Sequence, residues 1–426
     1  VGAAYIYLRN AGNAWLQEAH LNVSASLAFG SAVSIDANSN RVIIGARGTN
    51  AAYIYARNAS NAWLQEAQLN GPSSSTFGTS TSIDANGNRV IVGASGNSSA
   101  YVYLRDASNA WTEEVRLDGF SSTSFGGSVS MDGRGDYITV GAPGEHATYI
   151  YLRNTSNAWL QEAHLSGPPN SEFGASVSID NIGKHVVVGA YVENALAGAV
   201  YVYETDCGAP TASPTPVPTP GPTPVPTPVP TPVPCASHVP WTQEAHLSVP
   251  TSSLFGYSVS IDGGSNRVIV GATGERTAYI YLRNASNAWP QEARLNIPAS
   301  SNFGSAVSIS ANGNRVIVGA SNEDAAYIYV RNASNAWLQE TRLNVAASQS
   351  FGISVSIDAD GRRVIIGAFN EDSVGGVYIY LRNASNGWLE ETHLDILDSE
   401  TFGFSVFINA NGNRVIIGAP NKDAAY

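Results

Sequence analysis

Residues 303–344 read FGSAVSISANGNRVIVGASNEDAAYIYVRNASNAWLQETRLN, and this stretch decides the fold. Residues 305–309 alternate small and apolar side chains, the period of a half-buried strand. ANGN at 311–314 is a hairpin signal, because Asn-Gly accepts the positive φ of a tight turn. Residues 315–319 form a β-branched run, apolar on both faces, which suits a central strand. Residues 326–330 carry a Tyr-x-Tyr alternation, and after a turn at 333–336 a fourth strand runs over 337–343. The stretch is therefore predicted to be a four-stranded antiparallel sheet. No amphipathic helix of useful length interrupts it.

The same unit recurs along the 426-residue chain. Phe-Gly opens it at Phe29, Phe77, Phe125, Phe173, Phe255, Phe303, Phe351 and Phe402, at intervals of 48, 48, 48, 82, 48, 48 and 51. Gly-Ala closes the second strand at Gly45, Gly93, Gly141, Gly189, Gly271, Gly319, Gly367 and Gly418. All eight tryptophans occupy one repeat position, from Trp15 to Trp388. Eight copies of a four-stranded unit predict an all-β chain, a β-propeller with eight antiparallel blades forming a single domain over 1–426. The Phe-Gly and Gly-Ala signatures, with Gly-Ala-Pro at 141–143 and 418–420, resemble the FG-GAP repeat, whose blades build integrin-type propellers. That resemblance implies the propeller fold. It says little about function, since the family includes adhesion receptors, lectin-like proteins and surface repeats.

Val1 enters in a third strand, and Tyr426 stands at the repeat position of Tyr5. The two ends are thus expected to share a closing blade. Their overlap also suits a segment of a longer array, or a strand offered to a neighbouring molecule.

The long interval holds 34 extra residues, four before Tyr201 and 30 between Tyr203 and Trp241. From Pro214 to Pro234 every second residue is proline, in a Thr-Pro-Val-Pro pattern. Such a run lacks sheet donors and adopts polyproline II. It lies at 207–235, inside the blade at 173–247, and the only cysteines, Cys207 and Cys235, bracket it. One reading is a disulfide-stapled spike with Gly221 at its tip. The other is a tether between two four-repeat halves. Thr215, Thr219, Thr223, Thr227 and Thr231 resemble the O-glycosylation sites of hydroxyproline-rich cell-wall glycoproteins.

N-glycosylation sequons occur at Asn22, Asn58, Asn97, Asn154, Asn284, Asn332 and Asn383, five of them in the hairpin between strands three and four. Asn-Ala-Ser is also good turn chemistry, and Asn10 and Asp106 fill the same place without a sequon. Calcium is one reading of the loops Asp84-Ala-Asn86-Gly-Asn88 and Asp358-Ala-Asp360-Gly-Arg362, which stand where integrin-type blades bind it. They lack the late carboxylate expected of a six- to eight-oxygen site, so a tight hairpin is the expectation, with calcium the alternative, and no cofactor is expected. Glu recurs in all eight fourth strands and Arg ends seven third strands, with Glu204 as the exception. Eight equivalent copies argue for cross-strand charge pairs rather than catalysis. His20, His164, His246 and His393 follow that Glu on the outermost strand and are expected to be exposed. The variable loops between strands two and three carry Glu145, Glu193, Glu275, Glu323, Asp324, Glu371 and Asp372, a candidate partner face.

The net charge is −12 and the chain has two lysines, Lys184 and Lys422, which excludes a nucleic-acid surface. No apolar run reaches membrane-spanning length. Two functions are compatible with these features. One is a non-enzymatic extracellular structural glycoprotein of a cell surface, wall or fibre, associating with itself or with other matrix glycoproteins. The other is an adhesin or lectin-like module that binds a glycan or protein through the acidic loops.

Overall fold

The Phe-Gly and Gly-Ala pairs recur because two backbones must touch wherever one blade meets the next. A Cβ on Gly319 would lie 2.0 Å from the Gly352 carbonyl oxygen of the following blade, and one on Gly93 would lie 2.0 Å from that of Gly126. The same contact occurs at every junction, including Gly418 against Gly30, where the ring closes with 2.1 Å. The following phenylalanine side chains, such as Phe77 and Phe303, are fully buried. They pack edge-on against the tyrosines of their own third strand, as Phe77 does with Tyr101 at 5.2 Å.

The computed structural model describes residues 2–23, 26–120, 123–205, 240–249, 254–297, 302–345, 350–369, 375–396, 399 and 401–421. It is an eight-bladed β-propeller of four-stranded antiparallel sheets. Blades 1 to 7 span 29–70, 77–118, 128–166, 176–248, 255–296, 303–344 and 351–395. Blade 6 consists of Phe303–Ile309, Arg315–Ala320, Ala325–Arg331 and Trp337–Asn344, each strand reaching one or two residues beyond the sequence expectation. First strands of successive blades pack beside one another around the axis, which makes the fourth strand the outer rim. Second strands are buried on both faces, as in Val90, Ile91 and Val92. The apolar clusters lie between blades: Ile43 and Ile54 of blade 1 pack with Phe77, Val90 and Tyr101 of blade 2.

The closing blade is composite. Ser405–Ile408 and Arg414–Ala419 pair with Ala3–Arg9 and Trp15–Asn22, in register from Ala3 opposite Ala419 to Leu8 opposite Arg414. Blade 4 is continuous across its insertion, since Ala199–Glu204 pairs with Thr242–Ser248 from Ala199 opposite Ser248 to Glu204 opposite Thr242. Cys207, Cys235 and the five threonines lie outside the described residues, and so does any link between them. The four extra residues before Tyr201 make a turn at Glu193–Leu196. Among the described residues no helix is long and apolar enough to cross a membrane.

Every outer strand has a register shift opposite the third strand. In blade 1, Ile54 faces Ala67 and Tyr55 faces Gln65, so Glu66 is the extra residue. The same bulge singles out Glu18, Glu114, Glu162, Glu244, Glu292, Glu340 and Glu391. A bulge re-aims its extra side chain, and in six blades it turns the glutamate from the rim toward side chains of the next blade.

Candidate functional site

This bulge corrects the expectation of ordinary cross-strand pairs, because six of the glutamates, Glu18, Glu66, Glu244, Glu292, Glu340 and Glu391, bond side chains of the next blade, while Glu114 holds Arg89 of its own blade. Glu66 accepts from Arg41 Nε of its own blade at 3.0 Å and from Arg105 Nε and Trp111 Nε1 of the next at 2.8 and 3.0 Å. Glu18, Glu292, Glu340 and Glu391 each hold the same three donors. The ring is latched shut in this way: Glu391 takes Arg363, Trp15 and Arg9, while Glu18 takes Arg414, Arg57 and Trp63. Glutamate side chains here are only 8–12% exposed. Burial pushes their carboxyls upward, but the combined hydrogen bonds from arginine and tryptophan outweigh it and hold them below the ordinary range.

Around blade 4 the latch is rewritten. The second-strand arginine column, filled by Arg41, Arg89, Arg267, Arg315, Arg363 and Arg414, reads Tyr137 in blade 3 and His185 in blade 4. The third-strand arginine is Glu204. His185 is 2% exposed. Its Nδ1 lies 3.1 Å from Asp180 Oδ2, and its Nε2 lies 3.6 Å from both Glu204 Oε1 and Glu244 Oε2. Nε2 has no hydrogen-bond partner among the described residues. Lys184 Nζ reaches Glu204 Oε1 at 2.7 Å, and Arg283 bridges Glu204 Oε2 and Glu244 Oε1. Ser265 Oγ donates to Asp180 Oδ2 at 2.5 Å. Burial raises the Asp180 carboxyl, but bonds from His185, Ser265 and Lys184 outweigh it and leave it lowered. Among the described residues, His185, Glu204 and Glu244 are the group whose ligand atoms fall within 4.8 Å of one another. Sequence reasoning noticed Glu204 but missed His185 and Tyr137. The signal was their departure from a six-fold arginine column.

The sequon hairpins are tied internally. Asn58 Oδ1 accepts the backbone N–H of Ser60 and Ala62, both at 2.9 Å. Asn154, Asn284, Asn332 and Asn383 repeat this pattern, and Asp106 makes the same bonds with Ser108 and Ala110. A side-chain oxygen at this position is therefore a turn requirement. Asn22 ends an outer strand and is exposed, while Asn97 ends the short turn Ser95–Asn97. In the hairpins between strands one and two, Asp84 Oδ1 accepts the N–H of Asn88 and Arg89 at 2.7 and 2.9 Å, and Asp358 Oδ1 accepts that of Arg362.

The acidic loops lie on the opposite face and are engaged with their own blades. Glu145 accepts the Tyr149 hydroxyl at 2.8 Å, Glu193 that of Tyr201 at 2.8 Å, Glu275 that of Tyr279 at 2.5 Å and Glu323 that of Tyr327 at 2.8 Å. Each also faces a base of the outer strand, His164, His246, Arg294 and Arg342 respectively. Burial, reinforced by the bond to Glu275, pushes the Tyr279 hydroxyl up to about 12. Glu193 is itself buried. Asp324 caps a short turn in the left-handed region. Glu371 and Asp372 lie outside the described residues. The outer-strand histidines stack on the same tyrosines, His164 on Tyr149 at 4.6 Å and His20 on Tyr5 at 4.5 Å.

Fold and latch together define an eight-bladed propeller whose repeated polar groups hold blade to blade. Residues 337–380 match the FG-GAP repeat, the outer strand of blade 6 running through the third strand of blade 7. No curated protein sequence matches the chain. Among solved structures it is similar to Sqt1 of Chaetomium thermophilum, bound to the N-terminus of ribosomal protein L10. The identity is 12%, the coverage 93% and 96% of the two chains, and the TM-score 0.62. It is also similar to the Cps50 (Swd1) β-propeller domain of Myceliophteria thermophila, at 10% identity, 92% and 96% coverage and a TM-score of 0.52. The periplasmic gluconolactonase PpgL of Pseudomonas aeruginosa matches at 12% identity, 82% and 97% coverage and a TM-score of 0.52. At such identities the likeness is one of fold alone.

Proposed function

We propose that this protein is a non-enzymatic, glycosylated structural scaffold of an extracellular surface, wall or fibre, whose rings associate with copies of themselves through the rim. One observation carries this reading. On the outer strand, the position after tryptophan holds an exposed leucine in five blades: Leu16, Leu64, Leu160, Leu338 and Leu389 are 41–57% exposed. An outermost strand also presents backbone donors and acceptors to a second chain. Large apolar side chains recurring on such edges suit lateral contact between rings. The scaffold is preferred to an adhesin because the loop acids Glu145, Glu193, Glu275 and Glu323 already serve tyrosine and basic partners of their own blades. Extracellular placement draws on the sequons and on the proline run bracketed by Cys207 and Cys235.

The test is the chain secreted from a eukaryotic host, weighed intact before and after deglycosylation and imaged by negative-stain microscopy over a concentration series. Glycan mass and regular assemblies that dissolve on changing the five leucines to lysine are expected. Isolated rings at every concentration, with a mass equal to the polypeptide, would overturn the proposal.

A further inference from the structure

We propose that His185 Nε2, Glu204 Oε1 and Glu244 Oε2 bind one divalent transition-metal ion of the zinc class at the junction of blades 4 and 5. The argument starts from charge. A standard junction buries one glutamate between two arginines, a local charge of +1. At this junction the own-blade arginine is a histidine, and a second glutamate has entered from the third strand. Glu204 and Glu244 against Arg283 give −1 before the imidazole is counted, and Lys184 brings that sum only to zero. Positive charge has been withdrawn from a place where five other junctions, those of Glu18, Glu66, Glu292, Glu340 and Glu391, concentrate it.

Geometry then selects the ligand. Nε2 stands 3.6 Å from each of two carboxylate oxygens, too far for a good hydrogen bond and with no hydrogen-bond partner among the described residues. Tetrahedral ligands about 2.0–2.1 Å from zinc lie roughly 3.3–3.4 Å from one another, and the three donor atoms, all within 4.8 Å of one another, close on an ion by moving inward. On the far side of the ring, Asp180 Oδ2 lies 3.1 Å from Nδ1 and is itself tied to Ser265. A carboxylate at Nδ1 holds the ring so that Nε2 is turned toward the two glutamates, the arrangement in which carboxylates support metal-bound histidines. An imidazole nitrogen aimed at two carboxylates needs a proton or a metal ion between them, and at 3.6 Å from each oxygen a proton makes no good hydrogen bond. One imidazole nitrogen among the donors favours zinc-class ions over calcium or magnesium. Lys184 and Arg283 occupy other lone pairs of Glu204 and Glu244, holding both carboxylates in position.

The test uses the full chain, stripped with chelator, reduced and alkylated so that thiols do not contribute. Zinc is titrated by calorimetry, stoichiometry is read by native mass spectrometry, and cobalt(II) reports geometry through its visible absorption. One equivalent of zinc is expected, with cobalt bands of a four-coordinate nitrogen–oxygen site. His185→Arg restores the residue of six other blades and should keep the fold while abolishing stoichiometric binding. Asp180→Asn, for which Asn409 of the closing blade is a natural precedent, should weaken binding by about 10- to 100-fold. Absence of stoichiometric binding by the unaltered chain, or equal binding by the His185→Arg chain, would overturn the site.

Discussion

Glu292 sits in its bulge and receives Arg267 at 2.9 Å, Arg331 at 2.9 Å and Trp337 at 2.9 Å, with only 8% of its side chain exposed. Removing the charge while keeping the shape leaves two guanidiniums without their counter-ion in a partly dry cleft. Glu292→Gln is therefore expected to cost about 3 kcal/mol by urea denaturation, against under about 1 kcal/mol if the pair behaved as a surface salt bridge. Asp132 is the opposite case. Its Oδ1 accepts the N–H of Asp136 and Tyr137, but its Oδ2 is buried without a hydrogen-bond partner among the described residues. Burial, the dominant cause, pushes its carboxyl up to about 6. A folded-state pKa above the unfolded value near 3.9 means the folded chain holds the proton more tightly. That contribution is complete below the unfolded value and is lost as pH rises through about 6. Asp132→Asn should therefore be more stable than the parent at pH 7.5, by about 1–3 kcal/mol, and show no such advantage at pH 4. Asn409 already fills this position in the closing blade, accepting from Asn413 and Arg414. Parallel melting curves across pH decide it, and a variant less stable at both ends would refute the assignment.

At the level of strands and blades, the glycine of Gly-Ala is a spacing element. Gly319→Ala would place a methyl 2.0 Å from the Gly352 carbonyl, backbone against backbone, with no flexible side chain to yield. Overpacking of this kind is expected to cost about 3 kcal/mol or more, whereas Gly12→Ala, with its nearest neighbour a side-chain oxygen at 3.3 Å, should change little. Thermal melts of the two variants separate these outcomes. The elements themselves were legible, because strand period, Asn-Gly hairpins and the strict repeat all report on local backbone geometry. Blade 6 appeared where the pattern of 303–344 placed it. The latch was not legible. Glu66 and Gln65 are adjacent in sequence, and only a bulge, which depends on pairing with Ile54 and Tyr55, decides which of them enters the cleft. The partners Arg105 and Trp111 lie one repeat away, so a reading within one repeat finds the residues without their contacts. His185 was hidden for a related reason: its meaning lies in the arginine it replaces and in Glu244, which comes 59 positions later in the chain.

For the whole molecule, the two places where chain continuity is weakest are both secured by pairing with distant segments. The closing blade joins Arg414–Ala419 to Ala3–Arg9 strand to strand, then repeats the glycine contact of Gly418 with Gly30 and the Arg414–Glu18 latch. Blade 4 spans the long insertion with a six-position register between Ala199–Glu204 and Thr242–Ser248. Its outer strand contributes Glu244, which takes Arg283 and Trp289 of blade 5. A ring held this way does not depend on the covalent link through 206–239. Cleavage at a protease site engineered beside Gly221, in the presence of reductant, should leave two fragments that elute as one particle of unchanged size and melt in a single transition. Each fragment alone would expose half of blade 4 together with half of the closing blade, including strand edges that the ring covers. Separately expressed fragments are accordingly expected to aggregate or remain unfolded until mixed. If the cleaved chain instead separates on gel filtration without denaturant, pairing across blade 4 and the closing blade is too weak to hold the ring, and the continuous backbone through the insertion is the fastening that matters.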